Sequence, residues 1–265
     1  MHRRIHHDVR SEPSGERLAR AAVWIVGASS GIGAATAQRL LKEGARVVLS
    51  ARRPDELAAV AAGHANAIVY PMDVMDEGIW PRAIGEVSAM LGGLDLVMFL
   101  AGRYDAQHSW EIDAEAVQKS FDLNVVCLYR ALATLVPALL KQGSGGIAIT
   151  GSISGYTGLP KALVYGATKA ALINLAESLY FELAPKGLSI YLINPGFVET
   201  PMTAANDFKM PGLMKPPAAA DAIFEGISRG RFEIRFPRSF AGGLRVLSRL
   251  PYLLRFSILH RTTGL

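Results

Sequence analysis

Short apolar runs, separated by stretches with helical periodicity, constrain the fold of this chain more than any other feature. Ala21 to Val26, Ala45 to Ser50, Ala67 to Pro71, Leu94 to Leu100, Gly145 to Thr150 and Leu188 to Ile193 read as strands. Between them Ile32 to Lys42, Pro54 to Ala62, Glu77 to Leu91, Ala114 to Leu140 and Leu163 to Leu183 read as helices, several of them closed by glycine. Leu94 to Leu100 is almost wholly apolar, as a strand covered on both faces must be. Strands alternating with helices run parallel through right-handed crossovers, which place helices on both faces of the sheet. The expected fold is therefore α/β, a three-layer doubly wound parallel sheet. Its ligand site is expected beyond the carboxyl ends of the strands.

Nothing in the composition divides the 265 residues into two comparable halves, and half of them are apolar. We expect one domain over residues 21–237, preceded by a poorly ordered leader, 1–20, and followed by an extension, 238–265. The leader is polar, rich in His and Arg, and lacks the apolar core of a secretory signal. No run of about 18 uninterrupted apolar residues marks a membrane span. The one cysteine, Cys127, rules out an intrachain disulfide and a thiolate metal cluster. No metal is expected, and a cytoplasmic setting is. The net charge of +5 is unevenly placed: residues 229–265 hold eight arginines and one acid, Glu233, which leaves the remainder at −2. Because the basic residues trail beyond the expected catalytic body, they do not point to nucleic acid.

Gly27, Ala28, Ser29, Ser30, Gly31, Ile32 and Gly33 join the first strand to the first helix. Glycine permits a sharp turn and lets a pyrophosphate approach backbone N–H groups at the positive end of that helix. The spacing is G-x-x-x-G-x-G, and a tight turn without a ligand is the plainer alternative. At a first strand-to-helix junction nucleotide binding is favoured. An acid at the end of the second strand would favour NAD, but the residues are Ser50, Ala51, Arg52 and Arg53. The planar fork of Arg52 suits a 2′-phosphate, with Ser29 adding a hydroxyl, so NADP(H) is expected over NAD(H). Solvated arginines at a strand end are the alternative.

Tyr165 and Lys169 lie four residues apart in a helical stretch and so share one face. A free phenol titrates near pH ~10, and an adjacent ammonium is expected to lower that value. Ser152 stands at the end of the fifth strand, thirteen residues before Tyr165, so that strand, loop and helix are able to bring three polar groups to one carbonyl. A capping serine, a packed tyrosine and a surface lysine are the bland counterparts.

Taken together, the glycine turn, Ser152, the run from Tyr165 to Lys169, Asn194-Pro195-Gly196 and Thr200 resemble the short-chain dehydrogenase/reductase family over residues 21–200. The resemblance implies a Rossmann-type sheet of about seven strands, with Phe232 to Phe236 as the last. It implies Tyr165 as general acid or base, Lys169 as the residue that lowers its pKa and binds the nicotinamide ribose, and Ser152 as the carbonyl-polarising hydroxyl. It further implies Asn124 as support for a water relay and Asp73, with Val74 after it, as the adenine-binding acid. The segment carrying Pro195, Gly196, Val198 and Thr200 would enclose the nicotinamide. Two departures stand out. Phe99-Leu100-Ala101-Gly102 replaces the family's Asn-Asn-Ala-Gly, keeping Ala101 and Gly102 for close cofactor approach, and Val26 replaces a threonine. The activity implied is interconversion of a ketone or aldehyde and an alcohol; a noncatalytic NADP(H)-binding sensor or scaffold is the alternative.

Residues 201–217, with Met202, Phe208, Met210, Leu213 and Met214, read as a substrate lid for an apolar, lipid- or steroid-like ligand. Tyr104, His108, Trp110 and Tyr156 are candidates to face the same pocket. The arginine-rich apolar extension is compatible with an anionic membrane surface, with covering the active-site mouth, or with a second subunit. The last is favoured, because the family commonly forms homodimers or homotetramers.

Overall fold

The computed structural model describes residues 18–204, 206 and 208–263. Seven parallel strands form one sheet in the order β3-β2-β1-β4-β5-β6-β7. They are β1 Ala22–Val26, β2 Arg46–Ser50, β3 Ala67–Val69, β4 Leu96–Phe99, β5 Gly146–Thr150, β6 Ser189–Pro195 and β7 Glu233–Phe236. The connecting helices are α1 Gly31–Lys42, α2 Pro54–Ala61, α3 Ile79–Leu91, α4 Ala114–Phe121, α5 Cys127–Gln142, α6 Leu163–Leu183 and α7 Pro216–Ser228. Beyond β7 come α8, Arg238–Leu247, and α9, Tyr252–Thr263. Every element expected from the sequence is present, and the family's seven-stranded Rossmann-type architecture is the one observed.

Strand geometry explains why the sheet is coated on both sides. Alternate side chains point to opposite faces. Trp24, Val97 and Ile147 enter the core under α3, α5 and α6, while Val23, Ile25, Met98 and Ala148 enter the core under α1 and α7. The family's asparagines after β4 are replaced here by packing: Phe99 lies 5.9 Å from Trp80, which lies 6.2 Å from Trp24. The Trp24 indole donates to Ser50 Oγ at 2.9 Å, so the hydroxyl at the end of β2 serves the core.

Several boundaries differ from the sequence reading. Leu18 is buried in the second core, so residues 18–20 belong to the body and not to the leader; residues 1–17 lie outside those described. The last two residues of the expected lid, Pro216 and Pro217, open α7, where their fixed φ suits a helix start. The long stretch expected as one helix breaks at Asp122–Val126 into a π-helical turn between α4 and α5. Residues 114–142 are apolar enough to pass for a membrane span, yet Leu128, Ala131, Leu132, Leu135 and Leu139 pack on the sheet. Removing the indole that joins the aromatic row should show its weight. Trp80→Ala is expected to cost about 3–5 kcal/mol, the range for a large aromatic deleted from a packed core, measured by urea unfolding.

Candidate active site

The site begins where β1 ends. Gly27 has φ +95°, and a Cβ there would sit 2.4 Å from the backbone nitrogen of Ala101; one on Gly33 would sit 2.0 Å from the Gly27 carbonyl oxygen. No side chain fits at either position. The turn is fastened by the N–H groups of Gly27 and Ala28, which donate to the Ser50 carbonyl at 2.7 and 3.1 Å. α1 then starts without help: Ser30 at its N-cap makes no side-chain cap, and its first turn holds no acid. The free N–H groups of that turn carry the positive end of the helix dipole.

These groups look onto an open cleft of about 270 Å³. Gly27, Ser29, Ser30, Gly31, Ile32 and Gly33 form one wall, Arg52 and Arg53 belong to another, and Asp73, Val74, Ala101, Gly102 and Thr200 lie on the rest, joined by Met202 of the expected lid. The cleft lies at the carboxyl ends of β1, β2 and β4, where chain order reverses across the sheet. Its close-approach glycines, uncapped helix start and length of wall fit a dinucleotide. Arg53 is paired with Glu56 at 2.7 Å, whereas Arg52 has no ion pair among the described residues. Pro195, Gly196 and Val198 are not on the wall. Pro195 ends β6, the Gly196 N–H donates to the Phe236 carbonyl at 2.7 Å, and the Val198 side chain is in the core.

At the inner end of the cleft, a Cβ on Gly102 would lie 3.5 Å from Asn124 Oδ1 and 3.6 Å from Lys169 Nζ. The lysine is almost fully buried and donates to the Thr150 carbonyl at 2.8 Å. Its Nζ is 5.4 Å from the centre of the Tyr165 ring. Ser152 Oγ accepts from the Ser154 N–H at 3.2 Å and from Ser154 Oγ at 2.9 Å, while its own proton has the Tyr165 hydroxyl and, at 3.4 Å, the Pro195 carbonyl before it. Asn124, in the π-helical turn, clamps the strand-following loop: its Oδ1 accepts from Arg103 N–H, and its Nδ2 donates to the Arg103 carbonyl and to Thr168 Oγ1. Both ends of that amide are therefore engaged, which makes Asn124 a positioning residue through its side chain. The π turn is a recurrent device at functional sites.

Burial pushes Tyr165 up to about 12, with the facing Ser152 hydroxyl pulling the other way. Burial lowers Lys169 to about 8. The expected depression of the phenol by the lysine is thus not what this arrangement gives; desolvation sets the direction. Burial also pushes the Cys127 thiol up to about 11, which leaves it unreactive.

Of the four loop aromatics named from the sequence, Tyr104 meets Tyr165 edge to face at 5.2 Å. Trp110 is exposed and stacks on His108 at 4.6 Å. Tyr156 has another task. Its hydroxyl donates to Glu233 Oε1 at 2.6 Å, Asn194 Nδ2 donates to the same oxygen at 2.9 Å, and the Arg245 guanidinium lies 4.9 Å from the Tyr156 ring. The serine loop is thereby tied to β6, β7 and α8. Burial alone would raise the Glu233 carboxyl, but hydrogen bonds from Tyr156 and Asn194, with Arg245 and Arg235, hold it below its ordinary range. Sequence reading missed this network because its members are joined only by the β6–β7 pairing.

With this geometry in view, comparison with known proteins is informative. Residues 21–210 match the family model described as short chain dehydrogenase. An uncharacterized oxidoreductase of Myxococcus xanthus is 34% identical over 231 residues, covering 86% of this chain and 91% of the relative. One from Staphylococcus haemolyticus is 33% identical, covering 77% and 90%. Among solved structures, a short-chain dehydrogenase from Streptomyces avermitilis has a TM-score of 0.76 at 27% identity, covering 85% of this chain and 91% of that one. A short-chain dehydrogenase from Sphingobium yanoikuyae in complex with NADPH has a TM-score of 0.74 at 26% identity, covering 87% and 96%. The chain belongs to the short-chain dehydrogenase family and is an oxidoreductase acting on CH–OH and C=O groups.

Glu233→Gln tests the anchor of the serine loop. Because the folded carboxyl is held below its ordinary value, its contribution is present above pH ~4.5 and lost as pH falls through the folded value. The variant should be less stable at pH 7 by about 1.5–3 kcal/mol, the range for a hydrogen bond to a charged group. That gap should narrow on acidification, as followed by thermal melts across the pH range.

Proposed function

We propose that this protein is an NADP(H)-dependent oxidoreductase that interconverts a ketone or aldehyde and an alcohol on an apolar, lipid- or steroid-like substrate. The observation that carries the reading is that Tyr165 meets both Ser152 and Lys169, and that this lysine lies beside Gly102 at the inner end of a cleft shaped for a dinucleotide. Gly27, Ser29, Ser30, Gly31, Ile32 and Gly33 would hold the pyrophosphate against the start of α1. Arg52, without an acidic partner among the described residues, would take the 2′-phosphate, and Asp73 with Val74 the adenine. A family relative described in complex with NADPH supports that choice. Pro195, Gly196, Val198 and Thr200 would frame the nicotinamide end, Thr200 from the cleft wall and the others through backbone.

When bound, NADPH supplies the hydride. The rest falls to the chain. Tyr165, whose pKa near 12 keeps the phenol protonated at neutral pH, gives its proton to the carbonyl oxygen. Ser152 is primed as a donor, because Ser154 fills its acceptor positions and its own proton is turned to the Tyr165 oxygen. Lys169, titrating near 8, is able to return a proton to the tyrosine and would hold the nicotinamide ribose. Asn124 holds the Gly102–Arg103 backbone in place, and the carbonyl groups of its π turn offer the start of a water path to the lysine. Oxidation of an alcohol uses the same groups in reverse.

The apolar preference rests on Phe208 of the lid packing 5.8 Å from Phe197, which stacks at 6.1 Å on Phe240 of α8. A noncatalytic sensor would have no use for a serine freed to donate beside a buried tyrosine and lysine. We place the protein in the cytoplasm, in keeping with its buried free thiol. A homodimer or homotetramer is the assembly proposed, with exposed Tyr129 on α5 and Phe181 on α6 as apolar surface for it.

Tyr165→Phe decides the reading. NADPH oxidation with a panel of apolar ketones and aldehydes should fall by about 10²–10⁴-fold while NADPH affinity, followed by fluorescence, stays within a factor of about three; undiminished turnover would refute the mechanism. Arg52→Asp should move the preference toward NAD(H). An unmoved preference between NADP(H) and NAD(H) in that variant would remove the 2′-phosphate assignment.

A further inference from the structure

The two helices after β7 differ in how they meet the body. α8 is committed to it: Ala241 and Leu244 are buried against Ile153, next to Ser152, and Phe240 stacks on Phe197. α9 is not. Tyr252, Leu253, Leu254, Phe256 and Ile258 are 67, 87, 57, 50 and 41% exposed. At about 3.6 residues per turn these positions fall on every side of the helix.

The charge here is equally one-sided. Residues 234–265 contain six arginines and no Asp or Glu. Arg235, Arg238 and Arg245 have carboxylates nearby, in Glu233, Glu225 and Glu177. Among the described residues Arg249, Arg255 and Arg261 have none within 4.0 Å. Arg255 instead lies over the Tyr252 ring at 4.4 Å and donates to the Ser248 carbonyl.

We propose that α9, with the Arg249 end of the preceding turn, docks this protein on an anionic lipid surface. A protein groove covers one stripe of a helix, whereas exposed apolar side chains spread around the helix, interleaved with Arg255, His260 and Arg261, suit the boundary between a headgroup layer and the hydrocarbon beneath it. Twelve residues rise about 18 Å, too short to cross a hydrocarbon core of about 30 Å and long enough to enter one leaflet. A second copy of the chain would bring the same acid-free segment, setting arginine against arginine; anionic headgroups supply the missing countercharge. Tyr252 and Arg255, stacked together, combine an apolar body with a polar tip at the depth where headgroups lie. Because α8 links this helix to Ile153 and Phe197, docking brings the substrate mouth to the bilayer. That last step rests on the apolar-substrate reading above; the docking does not.

The test is flotation of the full chain with vesicles of phosphatidylcholine alone and of phosphatidylcholine with phosphatidylglycerol. The protein should float with the anionic vesicles, and high salt should release it. Arg249→Glu with Arg261→Glu should weaken binding by roughly thirtyfold or more, at about fivefold for each arginine removed. Leu253→Glu with Phe256→Glu should abolish flotation; both exposed pairs should leave reduction of a soluble carbonyl compound, and the subunit count by light scattering, unchanged. Absence of flotation with anionic vesicles, equal flotation of the variants, or a smaller assembly in the Leu253/Phe256 variant would overturn the proposal, the last by assigning α9 to a second copy. Flotation without any preference for apolar substrates would sink only the substrate reading.

Discussion

The structure depends on one close approach, the backbone of the turn after β1 lying directly against the backbone after β4. Gly27 touches Ala101, and Gly33 touches Gly27, with no room for a methyl group between them. That contact joins the two strands flanking the reversal of strand order, sets the angle at which α1 leaves the sheet, and brings Gly102 beside Lys169. The glycine-lined cleft and the Tyr165–Lys169 pair are therefore two sides of one backbone packing. The site also takes no stability from polar anchors that other members of the family have at β4; an aromatic row of Trp24, Trp80 and Phe99 fills the space.

Electrostatics follow from the same burial. Desolvation shifts both groups toward their neutral forms, so the Tyr165 phenol holds its proton while the Lys169 ammonium gives its proton up more readily than a free amine would. Glu233 is the contrasting case. It is half-buried yet kept ionised, because two hydrogen bonds and two guanidinium groups outweigh its desolvation. The proton-transfer groups and the charged anchor are separated by the serine loop, which both sides grip.

Much of this was legible in the sequence. The strands announced themselves through apolar runs and the helices through spacing. The glycine turn and the Tyr165–Lys169 pair were visible because each is a local pattern. What stayed hidden was non-local or left no compositional trace. A π-helical turn at Asn124 shifts the backbone by a residue within an apolar stretch whose side-chain pattern looks like ordinary helix. Tyr156 and Glu233 are 77 residues apart and meet only because β6 pairs with β7. Leu18 sits in a polar leader whose average character masks one core side chain. The pKa of Tyr165 was misjudged in direction, since sequence shows the neighbouring lysine and not the depth at which both are held.

The attachment of α8 to the serine loop has a consequence for biosynthesis. The groups that fix Ser152 from behind, Glu233 at the sheet edge and Ala241 and Leu244 on α8, are among the last tenth or so of the chain to leave the ribosome. A nascent polypeptide long enough to fold the glycine turn and present Tyr165 still lacks the brace for its serine. The brace behind Ser152 is thus the part of the site that synthesis completes last.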